Sequence, residues 1–176
     1  MPMRFRSLLL PFAIAGCGVA EQPTSNETVA AFEVALPTAK DRAALITILR
    51  TTATAAGGHL DAASDNELRS TAEVSPLAKM SIHAAVWEGA KDEENWATIM
   101  DQADHIGQVW VVFARGRNEA QARRFRQQTM RDITERWPNV LSLPIIDRRT
   151  IPLRRNLIRT EKGYRLDPTA AARYKS

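Results

Sequence analysis

The stretch VWVVFARGRNEAQARRFRQQTMRDITERWPNVLSLPII, residues 109–146, opens on an apolar run and then changes its period. Val109-Trp110-Val111-Val112-Phe113-Ala114 has the length and continuity of a buried strand, and Gly116 ends it. Asn118 stands where a helix N-cap belongs, with Gln121 placed to complete the cap. Ala122, Phe125, Thr129, Ile133 and Trp137 then fall on one helical face until Pro138 stops the helix. Val140 to Ile146 supplies a returning strand. Strand, helix and strand in this order predict a β-α-β unit with parallel strands and a right-handed crossover.

Outward from this unit, Phe32, Val34 and Leu36 alternate with small or polar residues, which predicts a first strand just before Pro37. Thr38-Ala39-Lys40-Asp41 has the form of a capping box, and the helix it opens carries Leu45, Ile46, Ile48 and Leu49 until Gly57-Gly58. Residues 59–64 are a weaker strand. Met80, Ile82, Ala84 and Val86 recur at period two, opposite Ser81, His83, Ala85 and Trp87. After Gly89, the spacing of Trp96, Ile99, Met100 and Ala103 predicts a short helix, with Lys91-Asp92-Glu93-Glu94 as its acidic N-terminal cap. LIRTEKGYRL, residues 157–166, predicts a hairpin turning at Glu161-Lys162-Gly163. A chain of 176 residues is one domain's worth. The expected class is α+β or α/β: a single domain over residues 31–176, with a mixed β-sheet, helices packed on it, and a C-terminal β-α-β unit and hairpin.

The N-terminus carries a different kind of information. Arg4 and Arg6 precede Leu8-Leu9-Leu10-Pro11-Phe12-Ala13-Ile14-Ala15, a run too short for a permanent membrane span and of the length of a secretory h-region. Ile14-Ala15-Gly16-Cys17 resembles the lipobox of bacterial lipoproteins, and Cys17 is the sole cysteine of the chain. The resemblance covers residues 1–18 and implies no fold for the rest of the chain. It implies a signal peptide over residues 1–16, cut just before Cys17, and a Cys17 whose thiol takes a diacylglyceryl group and whose new amino terminus is acylated with chains of the palmitate kind. Each buried methylene contributes roughly 0.8 kcal/mol, so more than one chain makes a stable anchor. Gly18 in place of Asp implies, by the same resemblance, the outer membrane. Ala13-Ile14-Ala15 also forms an A-x-A site, so cutting before Gly16 and ordinary secretion is the competing reading. Residues 17–30 are small and polar and read as a lipid-anchored tether.

Charge is divided along the chain. From Arg115 onward sixteen Lys and Arg face six Asp and Glu, a net +10, whereas residues 17–114 carry six against fourteen, a net −8. One reading is that the two halves neutralise each other in the fold and that Arg123, Arg124 and Arg131 solvate a helix face. The other is a basic surface, formed by these three with Arg148, Arg149, Arg154 and Arg155, that meets an acidic protein, peptidoglycan carboxylates or lipid phosphates. The doublets around Pro152 serve equally to protect an edge strand from pairing. Nucleic acid, the usual partner of such a surface, fits poorly with an export signal and no nucleic-acid-binding motif.

Catalytic motifs are absent from the sequence: no G-x-S-x-G, P-loop, G-x-G-x-x-G or H-E-x-x-H occurs. His59, His83 and His105 are far apart, and no metal or cofactor is implied. Asp101, Asp104 and His105 in DQADH read as a polar helix C-terminus with a capping histidine in preference to an acid–base pair. The expectation is therefore a lipid-anchored envelope protein facing the periplasm, with a non-enzymatic domain that binds a protein or envelope component. The alternatives are an immunity or exclusion lipoprotein neutralising a periplasm-acting toxin, and a periplasmic hydrolase using His83 or His105.

Overall fold

The structure is a computed structural model and describes residues 24–89, 94–147 and 149–174. The signal, Cys17, the tether up to residue 23, Lys91-Asp92-Glu93 and Arg148 lie outside the described residues. The chain forms one mixed α+β domain. In order its elements are β1 (Thr28–Ala35), α1 (Ala39–Ala56), β2 (Gly58–Ala62), α2 (Asp65–Val74), β3 (His83–Glu88), β4 (Asn95–Met100), β5 (Gln108–Ala114), α3 (Glu119–Arg136), β6 (Leu141–Ser142), β7 (Leu157–Thr160) and β8 (Gly163–Leu166). The sheet runs β2-β3-β4-β5-β1-β6-β8-β7, antiparallel throughout except between β6 and β8. The first strand takes in Thr28–Ala30, which the sequence pattern assigned to the tether.

β1 lies in the middle of the sheet because it has something to bury on each side. Val34 meets the helices, while Ala31 and Glu33, both nearly inaccessible, face the other way. Both β5 and β6 pair with β1, each antiparallel to it. The β-α-β unit is thus present with its strands parallel, but β1 is inserted between them. The returning strand is short: only Leu141 and Ser142 pair in full, since Pro144 has no N–H to continue a ladder. The hairpin turns where expected, with Thr160 opposite Gly163.

α1 and α3 cover one face of the sheet. Thr38 caps α1 by accepting from the Asp41 backbone N–H, and Gly57, at φ 89°, closes it in the left-handed conformation that glycine adopts without strain. Asn118 caps α3 through the Gln121 N–H. Leu45, Leu49 and Ala53 of α1 meet Ala122, Phe125 and Ile133 of α3 above Val34, Val86, Ile99, Val109, Val111 and Phe113 of the sheet. At the helix crossing the hydroxyls of Thr52 and Thr129 bond each other at 2.7 Å, away from water.

Lys91-Asp92-Glu93 of the expected cap lie outside the described residues, and the short helix expected after Gly89 is a strand, β4. A bulge is the reason. Val86 pairs with Ala97 and Trp87 with Asn95, so Trp96 is an extra residue and enters the core beside Ala97. Two adjacent buried residues break the alternation that marks a strand, and the remaining spacing imitates a helix. Trp96 stacks on Phe125 with ring centroids 5.7 Å apart. It also lies against Gly116, where φ is +73° and a Cβ would stand 2.7 Å from the indole.

α2 has no counterpart among the elements expected from the sequence. Ser64 and Glu67 form a complete capping box, but the helix buries no side chain and so has no apolar stripe to announce it. The strand expected from Met80 begins at His83, and Met80 and Ser81 belong to the loop before it.

Candidate functional site

On the face turned away from α1 and α3, cross-strand pairing lines up His83, Met100, Trp110, Glu33 and Leu141 in one row. Glu33 is 2% exposed. Such a carboxylate is tolerable inside a protein only when its lone pairs are filled. Trp110 Nε1 donates to it at 3.0 Å, Tyr164 Oη donates at 2.7 Å, and Arg154 forms an ion pair with it. The Arg154 guanidinium also lies 5.0 Å from the centroid of the Tyr164 ring.

The turn that carries Arg154, the 3-10 segment Arg154–Asn156, is held from the C-terminal end of the chain. Tyr174 Oη accepts from the Leu153 N–H at 3.1 Å and from Asn156 Nδ2 at 2.7 Å. Asn156 is buried, and its carbonyl accepts from the Asp167 N–H.

Between this turn and the sheet lies a cavity of about 120 Å³. Met100 and Trp110 form its apolar wall, Asp104 and His105 enter from the loop joining β4 to β5, Gln108 from the first position of β5, and Leu153, Arg154 and Arg155 close it. Arg155 is exposed at its rim. The cavity therefore offers one cation already balanced by Glu33, a second one facing water, an imidazole, two amides (Gln102 and Gln108), the carboxylate of Asp104, and that of Asp101, which is taken up by backbone N–H groups.

The DQADH segment follows a strand, not a helix, and forms the 3-10 turn Ala103–His105, so the helix C-terminus with a capping histidine does not exist. Asp101 is 2% exposed and accepts from the backbone N–H groups of Ser81, Ile82 and Gly107 and from the Ser81 hydroxyl. Its carboxylate fastens two loops to each other. Asp104 and His105 line the cavity, while the Ser81 hydroxyl donates its hydrogen bond to Asp101. Among the described residues no group of three or more His, Cys, Asp or Glu could hold a metal ion.

The predicted arginines are spread over several places. Arg123, Arg124 and Arg131 are exposed on α3, and Arg123 pairs with Glu119 at 3.0 Å. Arg149 donates to Thr24 Oγ1 at 2.6 Å, where the chain enters the domain. Arg154 and Arg155 belong to the cavity, but Arg154 is half-buried and held by Glu33, so it is not part of an exposed basic surface. Charge neutralisation between the halves is visible directly: Arg115 pairs with Glu27, Arg117 with Glu94 and Arg154 with Glu33.

Glu33, Trp110 and Tyr164 do not stand out in the sequence. The available signal was Glu33 itself, flanked by Ala31 and Ala35 on the second face of the most apolar early strand. Period-two alternation alone assigns such a residue to solvent. Among the described residues no helix is long and apolar enough to cross a membrane. No protein-family model matches the chain, and comparison with curated proteins and with solved structures finds no significant match.

Proposed function

We propose that this chain is a cell-envelope lipoprotein, anchored through acyl groups on Cys17 to the outer membrane and facing the periplasm. Its domain is a non-enzymatic binding module that takes a carboxylate-bearing group of a protein or of peptidoglycan. The observation that carries the binding reading is Arg155, exposed at the rim of a small cavity whose other cation is already neutralised. A guanidinium so placed suits bidentate contact with a carboxylate, with His105 and Gln108 as further donors. The volume suits one side chain or one terminal carboxylate.

The position of the cavity supports the same reading. The chain enters the domain at Thr24, where the Gly116 N–H donates to Ser25. The cavity lies by Gln108, at the opposite end of β1, where Ala35 pairs with Gln108 and the Leu36 N–H donates to Gly107. Eight residues of strand separate the two ends by about 25 Å. An anchor at Cys17 thus leaves the cavity on the end of the domain away from the tether.

Two measurements test the proposal. The intact mass of the protein from membranes, with fragmentation of its N-terminal peptide, should show a chain beginning at an acylated Cys17; a chain beginning elsewhere removes the anchor. Titration of the full-length ¹⁵N-labelled protein with soluble peptidoglycan fragments and with an acidic peptide should shift the amides of His105, Gln108 and Arg155 for at least one of the two. The shifts should vanish in Arg155→Glu and shrink with added salt. Silence at these amides with both probes overturns the binding reading.

A further inference from the structure

A second concavity, of about 770 Å³, lies between α1 and α2 and shares no residue with the cavity above. One wall is a continuous stripe of α1, Ala39, Arg42, Ala43, Ile46, Thr47 and Arg50, which runs beside the stripe that α1 gives to the core. Asp65, Leu68 and Arg69 of α2 form the other wall, and Met80 and Ile82 contribute to the floor. At this size the groove lies toward the upper end of single-ligand pockets and accommodates several side chains.

Its charge runs against its surroundings. Residues 17–114 are net −8, yet Arg42, Arg50 and Arg69 line the groove against the single acid Asp65. Lys40 on α1 and Lys79, next to Met80, add to them, so five of the six cations of this half lie on or beside the groove walls. Of the acids in this half, Glu33, Glu94 and Asp101 are held elsewhere, by Arg154, by Arg117 and by Ser81, Ile82 and Gly107, whereas Asp41 and Glu67 stand on the two helices and are taken up by the caps at Thr38 and Ser64. The lining itself therefore presents three guanidiniums against one carboxylate.

Two large apolar side chains outside the groove lining are exposed. Val74, at the end of α2, is 88% exposed, and Leu77, in the turn after it, is 86% exposed. α2 buries no side chain completely, and its Leu68 and Ala72 are half-buried.

We propose that the groove between α1 and α2 is a docking site for an acidic amphipathic helix of a partner protein. The apolar face of that helix would cover Ile46, Leu68 and Met80, and its acids would meet Arg42, Arg50 and Arg69. Helical walls on both sides and an i, i+3, i+4, i+7 stripe on α1 suit a helix in the groove, with apolar anchors giving affinity and charge giving selectivity.

The test uses the full-length protein in detergent micelles and a labelled synthetic helix of about five turns, leucine on one face and glutamate on the other. A second helix replaces every glutamate with lysine. Fluorescence anisotropy should show binding of the acidic helix only. Hydrogen exchange should slow over residues 39–50 and 65–80. The Arg50→Glu/Arg69→Glu double variant, whose residues are both exposed, should retain its circular dichroism and weaken the acidic helix by about tenfold or more.

The proposal is overturned by equal binding of the two helices, by unchanged affinity in the double variant, or by no binding of the acidic helix. Protection confined to the β2 edge would point to strand addition in its place. Insertion of Val74 and Leu77 into anionic vesicles, without helix binding, would assign the surface to lipid. None of these outcomes touches the cavity residues, so the groove can fail while the carboxylate-binding reading stands.

Discussion

Glu33, on the central strand, and Arg154, in the turn ahead of the last hairpin, are ion partners beneath Trp110 and Tyr164. This pair joins the acidic first part of the chain to the basic last part, and its Arg154 lines the cavity. Removing Arg154 leaves a buried carboxylate with only the Trp110 and Tyr164 hydrogen bonds, and removing Glu33 leaves a half-buried guanidinium without its ion partner.

Glu33→Ala should therefore destabilise the domain by about 3–5 kcal/mol, and Arg154→Ala by a similar amount. Replacing both by apolar residues, Glu33→Leu with Arg154→Met, should cost less than the sum of the single changes. Urea denaturation of the three variants checks this, and strict additivity would show that the two side chains do not act on each other.

Asp101 accepts from three backbone N–H groups and the Ser81 hydroxyl. Asp101→Ala leaves buried donors unmet and should cost at least about 1–3 kcal/mol. Since those donors tie residues 81–82 to the loop carrying His105, hydrogen exchange there should accelerate more than in α1 or α3. Uniform acceleration would mean that Asp101 contributes to global stability without locally ordering the cavity.

Gly116→Ala combines a positive φ with contact against Trp96. The left-handed backbone and the overpacking together should cost about 2–4 kcal/mol. Trp96 lies inside the core, so its fluorescence should change in the folded variant as well. A variant with wild-type stability and emission would show that the chain bends away from the indole without cost.

The acid side of the stability profile should report the caps. The Thr38 hydroxyl bonded to Asp41 and the Ser64 groups bonded to Glu67 hold these carboxyls below their ordinary pKa values. A lowered folded pKa contributes stability that is fully present above the unfolded pKa and is lost as pH falls through the folded one. The deficits of Thr38→Ala and Ser64→Ala should therefore be largest at neutral pH and shrink once the pH falls below the ordinary carboxylate range. Urea midpoints measured against pH decide it; a deficit that persists in acid would assign the effect to the hydroxyl's bond to the backbone alone.

Local signals in the sequence were sufficient for the elements that are stabilised locally or by one apolar face. Thr38 and Gly57 bound α1, Asn118 and Pro138 bound α3, and the apolar run of β5 and the Glu161-Lys162 turn stand where their residues place them. The mixed α+β class is already implied by these alone. α2 announces itself only by the Ser64-x-x-Glu67 cap, because it buries no side chain completely, and β4 was misread because its bulge sends Trp96 and Ala97 to the same side.

What only the tertiary structure decided concerns residues distant in sequence. That β1 lies between β5 and β6, that Glu33 is buried, and that it meets Arg154 and Tyr164 depend on partners from the far end of the chain. A sequence period records whether a residue is apolar, whereas burial of a charge depends on which opposite charge the fold brings to it. For that reason the seven predicted arginines were legible as residues and not as a surface: the fold neutralises Arg154, leaves Arg155 at the rim of the cavity, and places Arg123, Arg124 and Arg131 on an exposed helix face.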